Sequence, residues 1–552
     1  VWADGISTQN FCYLILFSLV IIMLVRTESI LLIDPLVETN VGLIRGLRSP
    51  NGEYSMFMGI PYATVDTANP FGPASPHPGF ENTFEAYDDS AICPQIEEFN
   101  NTITGNLDCL HINIYVPNSA TFRNRLPVLV WIYGGEFSIG FSGRHLYGPW
   151  YLIRHGIILV TLNYRVGPYG FMCLDTPQVP GNQGLKDQRL ALRWIKNNIG
   201  SFGGDENQIT IFGESAGSAS VDLHFHYDSE HLFDRVIMQS GSAIASWVVV
   251  EPDREAPIKL ASHLGFITND INEALSFLSS VDTSLIIAAA SDLNLSFKPC
   301  VEDDYDNVEK FISDHPINRN VPRAENTPIL IGYNEHERLV DHINREPTYY
   351  DGRNIYKETL AQDFTFNDQE LVEMEEIVRH FYNGDEPLDA KGRWNIINFE
   401  SDNMFCHPTE RSISKYLQNG GRDIYFYLFS YVGGRNFVRN QNNVTVGGAA
   451  HADEIGYLFD LSYMTEEPST EDQLIIDQIT TLWANFVKTG NPTPETSELL
   501  PVLWTRVTED VRHYLNINTD MRVQQRPFHD RMSFWDLFYK LNFKYQRGYR
   551  EN

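Results

Sequence analysis

Residues 202–217 read Phe-Gly-Gly-Asp-Glu-Asn-Gln-Ile-Thr-Ile-Phe-Gly-Glu-Ser-Ala-Gly. Gln208–Phe212 is a short β-rich run with isoleucine at 209 and 211, and a helix-compatible segment follows Gly217. Between them, glycines two residues either side of Ser215 let the backbone turn sharply and expose the hydroxyl. The amide of Ala216 can then point at a developing oxyanion. G-x-S-x-G is a weak signal alone, but here a strand precedes it and a helix follows.

The segments around this turn alternate in kind. Val128–Ile132 and Ile157–Leu162 are apolar, β-rich runs bounded by proline or glycine and predict buried strands. Gly184–Ile199 predicts a helix with Leu185, Leu192, Ile195 and Ile199 on one face. Arg235–Met238, Pro328–Ile331 and Asp423–Ser430 predict further strands. Such alternation implies an α/β fold, a mainly parallel sheet covered by helices on both faces. Chemistry gathers at the carboxyl ends of strands in such sheets, and Ser215 follows one.

Of the 552 residues, 43% are hydrophobic, which suits a large packed core and argues against disorder. The net charge of −31 argues against electrostatic binding to nucleic acid or anionic lipid. Phe11–Val25 is an apolar run broken only by Ser18, short for a membrane span but suited to a signal-peptide core. Residues 1–29 are therefore expected to be a cleaved secretion signal, with Val1 compatible with an incomplete or read-through start. Residues 30–552 are expected to form one domain with no membrane span, and the polar Lys540–Asn552 segment gives no anchor signal. Sequons at Asn100, Asn294 and Asn443 fit a secreted, extracellular glycoprotein. Outside the signal lie Cys93, Cys109, Cys173, Cys300 and Cys406, an odd number that leaves at least one thiol free or intermolecular. No Cys/His spacing resembles a zinc site, and neither metal nor cofactor is expected.

Several longer blocks carry a resemblance. Met58-Gly-Ile-Pro-Tyr-Ala, Asp108-Cys-Leu-His-Ile-Asn-Ile-Tyr, Asn163-Tyr-Arg-Val-Gly-Pro-Tyr-Gly-Phe and Gly181-Asn-Gln-Gly-Leu-Lys-Asp-Gln occur in that order. With the Ser215 turn, they resemble the type-B carboxylesterase and cholinesterase family of α/β-hydrolases, from about Val41 to about Phe538. The overall pattern is most similar to insect esterases, those of moths in particular.

The resemblance implies a Ser-Glu-His triad acting on small-molecule esters. Ser215 matches the nucleophile. Glu337, in Gly332-Tyr-Asn-Glu-His-Glu, matches the acid, with Glu335 as the alternative; Arg338 stands where the family usually has glycine. His451, in Gly447-Gly-Ala-Ala-His-Ala-Asp-Glu, matches the general base. Gly135, residue 136 and Ala216 match the oxyanion donors, Trp247 the acyl-pocket tryptophan, and Ser240 a serine beside the triad. Cys93 and Cys109 match the first family disulfide. Cys173 and Cys300 fall where the family has ordinary small or apolar residues, so Cys300 is expected to be a buried free thiol. Arg165 and Asp402 match a buried family ion pair. Leu107 replaces a glutamate that normally pairs with an arginine resembling Arg45.

Two departures bear on substrate. Residues 94–108 contain no tryptophan, which argues against a cation–π choline site. Glu214 stands where juvenile hormone esterases typically carry glutamine, which argues against that assignment. A third departure is Glu136, where the family has glycine or alanine. Three readings remain open: a neutral carboxyl, a side chain pointing away from the serine, or a base for water. The expected function is thus a secreted serine carboxylesterase. A binding or adhesion homologue on the same fold is the alternative, with Glu136 its best argument, and a lipase acting on aggregated lipid is a third.

Overall fold

The computed structural model describes residues 33–550, so the expected signal at residues 1–29 lies outside the described residues. Its centre is a thirteen-stranded sheet. Seven strands run parallel, in the spatial order Ile158–Leu162, Leu126–Ile132, Gly204–Glu214, Arg235–Gln239, Ile329–Asn334, Ile424–Phe429 and His513–Ile517. Antiparallel strands extend both edges. Each expected strand is present within a few residues of its predicted ends.

Successive residues of a strand face opposite sides of the sheet. Every residue of Ile158–Leu162, Ile329–Asn334 and Ile424–Phe429 is buried, so both faces of the sheet are covered at these strands. The continuous apolar runs of the sequence follow from this double coverage. The expected helix spans Gln183–Asn198 and tightens into a 3-10 turn over Ile199–Phe202.

Parallel register sets the carboxyl ends of neighbouring strands side by side. Ile132 pairs with Gly213, Glu214 with Gln239, and Gln239 with Gly332. The loops beginning at Tyr133, Ser215, Ser240 and Glu335 therefore leave the sheet along one edge. The segment holding His451 is brought there by a bridge between His336 and Ala450 and by the His336 amide donating to Ala449 O at 2.8 Å.

Two sequence expectations are corrected. Cys173 and Cys300 form a disulfide across a sequence separation of 127, in addition to Cys93–Cys109, and Cys406 is the buried free thiol. Gly181 explains the approach: at φ +104° it lies so close that a Cβ there would stand 2.7 Å from both sulfurs. Arg165 does not pair with Asp402. Its Nε and Nη2 fork onto Asp187 at 2.7 and 2.8 Å, and Nη1 donates to Pro70 O and Gly72 O, which engages four of the five guanidinium N–H groups. Asp402 instead takes Arg531 and the Tyr382 hydroxyl. The family pair that Leu107 removes is absent, and Arg45 pairs instead with Glu85 at 2.9 Å.

Candidate active site

Ser215 sits between the strand Gly204–Glu214 and the helix Ala216–Tyr227, at φ +56° and ψ −123°. A non-glycine residue there is strained, a cost that persists only where neighbours hold it. The neighbours are tight. A Cβ on Gly217 would stand 2.0 Å from Ile132 O, and one on Gly213 would stand 2.5 Å from Gly217 C. Both glycines are thus required by close approach of backbone, as the turn motif implies. The Ser215 amide is tied to Gln239 O at 2.9 Å.

His451 Nδ1 lies 2.6 Å from Glu337 Oε2. Glu337 is buried, and its second oxygen accepts from the Ser240 hydroxyl and the Asn334 amide, each at 2.6 Å. Ser240 is itself held at φ +52°, its amide donating to Gly332 O. The carboxylate is thus fixed at both oxygens, and only Oε2 faces the imidazole. Glu335 is turned elsewhere, its carboxylate against Gly448. Glu337 and His451 are therefore brought together, with Ser240 supporting the glutamate, and Ser215 lines the same cavity as His451.

The backbone amides of Gly135, Glu136 and Ala216 donate to no acceptor among the described residues. A Cβ on Gly134 would stand 3.0 Å from Ser215 Cβ, so this loop lies directly on the serine. Gly135 has φ +103°, and Glu136 and Phe137 follow at +55° and +63°. Unpaired amides beside a nucleophile are what an oxyanion hole requires.

In the sequence Glu214 stands out only as the residue before Ser215, in place of the glutamine of juvenile hormone esterases. Its Oε1 lies 3.2 Å from His451 Nε2, the nitrogen that would serve the serine. The Ser215 hydroxyl makes no hydrogen bond among the described residues. Burial, with other acids nearby, pushes the Glu214 carboxyl up to about 8. Burial works to lower the His451 pKa, but Glu214 and Glu337 together outweigh it and raise it to about 10. Glu454, buried behind them, accepts from Gln239 and Asn334 at 2.8 and 2.6 Å, and burial pushes it up to about 7.

Ser215, His451 and Glu214 open onto a cavity of about 210 Å³ that also meets Trp247, Phe405 and Met404. The Phe405 ring lies 4.5 Å from that of His451, and Trp247 lies 5.8 Å from Phe405 and donates its indole N–H to Met404 O. Glu136, Lys298 and Arg338 complete one side. The Glu136 side chain is exposed, and its charge bears on Lys298 and Arg338. The sequence reading missed Lys298, which no motif marked, and noted Arg338 only as a departure.

Residues 33–535 match the model of the carboxylesterase family. The chain belongs to that family. This carboxylesterase is 33% identical to esterase FE4 of Myzus persicae over 81% of its own length and 82% of the relative. It is 30% identical to juvenile hormone esterase of Heliothis virescens, covering 84% and 86% of the two chains. Bile salt-activated lipase of Rattus norvegicus is also 30% identical, with 92% and 86% covered. The crystal structure of juvenile hormone esterase from Manduca sexta, with OTFP covalently attached, superposes with a TM-score of 0.80. That match is at 26% identity and covers 92% and 99% of the two chains. The carboxylesterase fold here is accordingly that of an α/β-hydrolase.

Proposed function

We propose that this carboxylesterase is a secreted, single-domain serine hydrolase that cleaves carboxylic esters through an acyl-enzyme on Ser215. The observation that carries the reading is the 2.6 Å contact between His451 Nδ1 and Glu337, beside a strained serine and three unpaired amides. In the proposed cycle, His451 Nε2 takes the Ser215 proton as Oγ bonds to the ester carbonyl carbon. The amides of Gly135, Glu136 and Ala216 receive the oxyanion. Collapse breaks the carbon–alkoxide bond, and His451 returns the proton to the departing alcohol. Water then repeats the sequence on the acyl-enzyme, releasing the acid and restoring Ser215. Glu337 holds the imidazole in one tautomer and offsets the imidazolium charge. Trp247, Phe405 and Met404 would receive an apolar arm of the ester. No cofactor enters the cycle.

Two disulfides and exposed asparagines at 100, 294 and 443 support secretion and glycosylation. Among the described residues no helix is long and apolar enough to cross a membrane. Glu136 lines the cavity but is exposed to solvent, and this exposure supports the reading in which its carboxylate points away from the serine. One observation favours the non-catalytic alternative: Glu214, not Ser215, contacts His451 Nε2. Burst kinetics with para-nitrophenyl acetate, followed by peptide mapping of the trapped adduct, separate the two. An acyl group on Ser215 is expected. A folded protein with no adduct, or with the adduct on another residue, would overturn the proposal.

A further inference from the structure

Two cations line the cavity, Lys298 and Arg338, and the ester cycle gives neither a role; among the described residues only Lys298 also lacks a carboxylate partner. Lys298 lies on the chain between the helix Thr283–Asp292 and Cys300. Its backbone is anchored: Pro299 and Cys300 are buried, Pro299 O accepts from the Val250 amide at 2.9 Å, and Cys300 is bonded to Cys173. The half-buried side chain faces the cavity, with Nζ 5.9 Å from the centre of the Trp247 ring.

Among the described residues, no carboxylate lies within 4.0 Å of this ammonium. Arg338, on the same side of the cavity, differs: it is held by Asp341 at 3.0 Å and Glu400 at 3.1 Å. Burial lowers the Lys298 pKa, while the charge of Glu136 works to raise it. Glu136 is exposed and too distant to pair, so it tempers the ammonium without satisfying it. A partly desolvated cation beside an aromatic face gains most from an anion that arrives with its own apolar stem. In a chain of net charge −31, long-range forces do not favour anions, so any anion selectivity must be local.

We infer that Lys298 is an anion subsite, and that the preferred ester carries a carboxylate at the end of one arm. The arm lies along Trp247 and its carboxylate meets the ammonium, which acts as a point charge with no demand for a planar fork. Glu136 competes with that carboxylate from the rim. The inference rests on the esterase reading of Ser215.

Two probe pairs test it. Para-nitrophenyl hydrogen adipate against para-nitrophenyl hexanoate puts the charge on the acyl arm. Para-acetoxybenzoate against para-acetoxybenzamide puts it on the alcohol arm. In Lys298→Met, the anionic-to-neutral ratio of kcat/KM should fall about 10- to 100-fold in one pair, the size of a lost charge-assisted hydrogen bond. Lys298→Arg should keep most of the ratio, and Glu136→Gln should raise it. Should Lys298→Met fail to fold, Lys298→Gln makes the same measurement. Ratios unchanged in both pairs would overturn the inference. Binding of hexanoate and hexanamide to Ser215→Ala, read by calorimetry, requires no catalysis. Preference for hexanoate that vanishes on adding Lys298→Met supports the subsite even if the wild type hydrolyses nothing. Active wild type with no such preference refutes the subsite and leaves the esterase reading intact.

Discussion

Glu214→Gln should move the acid limb of the pH–rate profile to lower pH. His451 can accept the serine proton only when its imidazole is neutral, so activity is present above its pKa and lost as pH falls through it. The nearby carboxylates favour the imidazolium and raise that pKa to about 10. Removing the Glu214 charge removes part of this support, so the pKa falls and activity persists further into acid. At 3.2 Å, an effective dielectric constant of about 20 gives an attraction of about 5 kcal/mol, or roughly four pH units as a ceiling. Solvent screening reduces it, because about a quarter of the His451 side chain (26%) is open to the cavity. A shift of about one to two units remains. The assay is kcat/KM for para-nitrophenyl acetate, corrected for spontaneous hydrolysis, from about pH 6 to about pH 11, in wild type and Glu214→Gln. An unmoved limb, or one moved to higher pH, would refute the electrostatic coupling between Glu214 and His451.

Four further outcomes are expected. Ser215→Ala should lower kcat by at least about 10⁴-fold with an unchanged circular dichroism spectrum, and His451→Ala on top of it should add little. Ser240→Ala removes one of two hydrogen bonds to Glu337 Oε1. It should lower kcat by about 10- to 100-fold with a smaller change in KM, as steady-state kinetics will show. Glu136→Gly relieves a residue held at φ +55° and should stabilise the fold by about 1 kcal/mol, read as a higher chemical-denaturation midpoint. Non-reducing peptide mapping should find Cys93 linked to Cys109 and Cys173 to Cys300, with Cys406 reacting with thiol reagents only after denaturation.

Much of this protein is written locally in its chain. Strands such as Ile424–Phe429 are legible because burial on both faces demands an unbroken apolar run, and that demand falls on adjacent residues. The Ser215 turn is legible because Gly213 and Gly217 answer a steric requirement within two residues of the serine. Ordered motifs likewise marked Glu337 and His451, whose meeting depends on strands the pattern already implied.

What remained hidden is set by contacts between distant segments. The Cys173–Cys300 bond joins residues 127 apart, and the glycine that admits it, Gly181, carries no signal of that use in its neighbours. Arg165 meets Asp187 because the helix Gln183–Asn198 carries both carboxylate oxygens to its Nε and Nη2, while Asp402 is carried to Arg531, a matter of position in space rather than residue type. The same holds at the site. A glutamate before a serine says nothing of where its carboxylate will rest. Only the packing of the strand Gly204–Glu214 against the loop that carries His451 sets Oε1 at 3.2 Å from Nε2. Lys298 is one lysine among many until the fold lays it over Trp247, since charge and distance act through space and the sequence records only order along the chain.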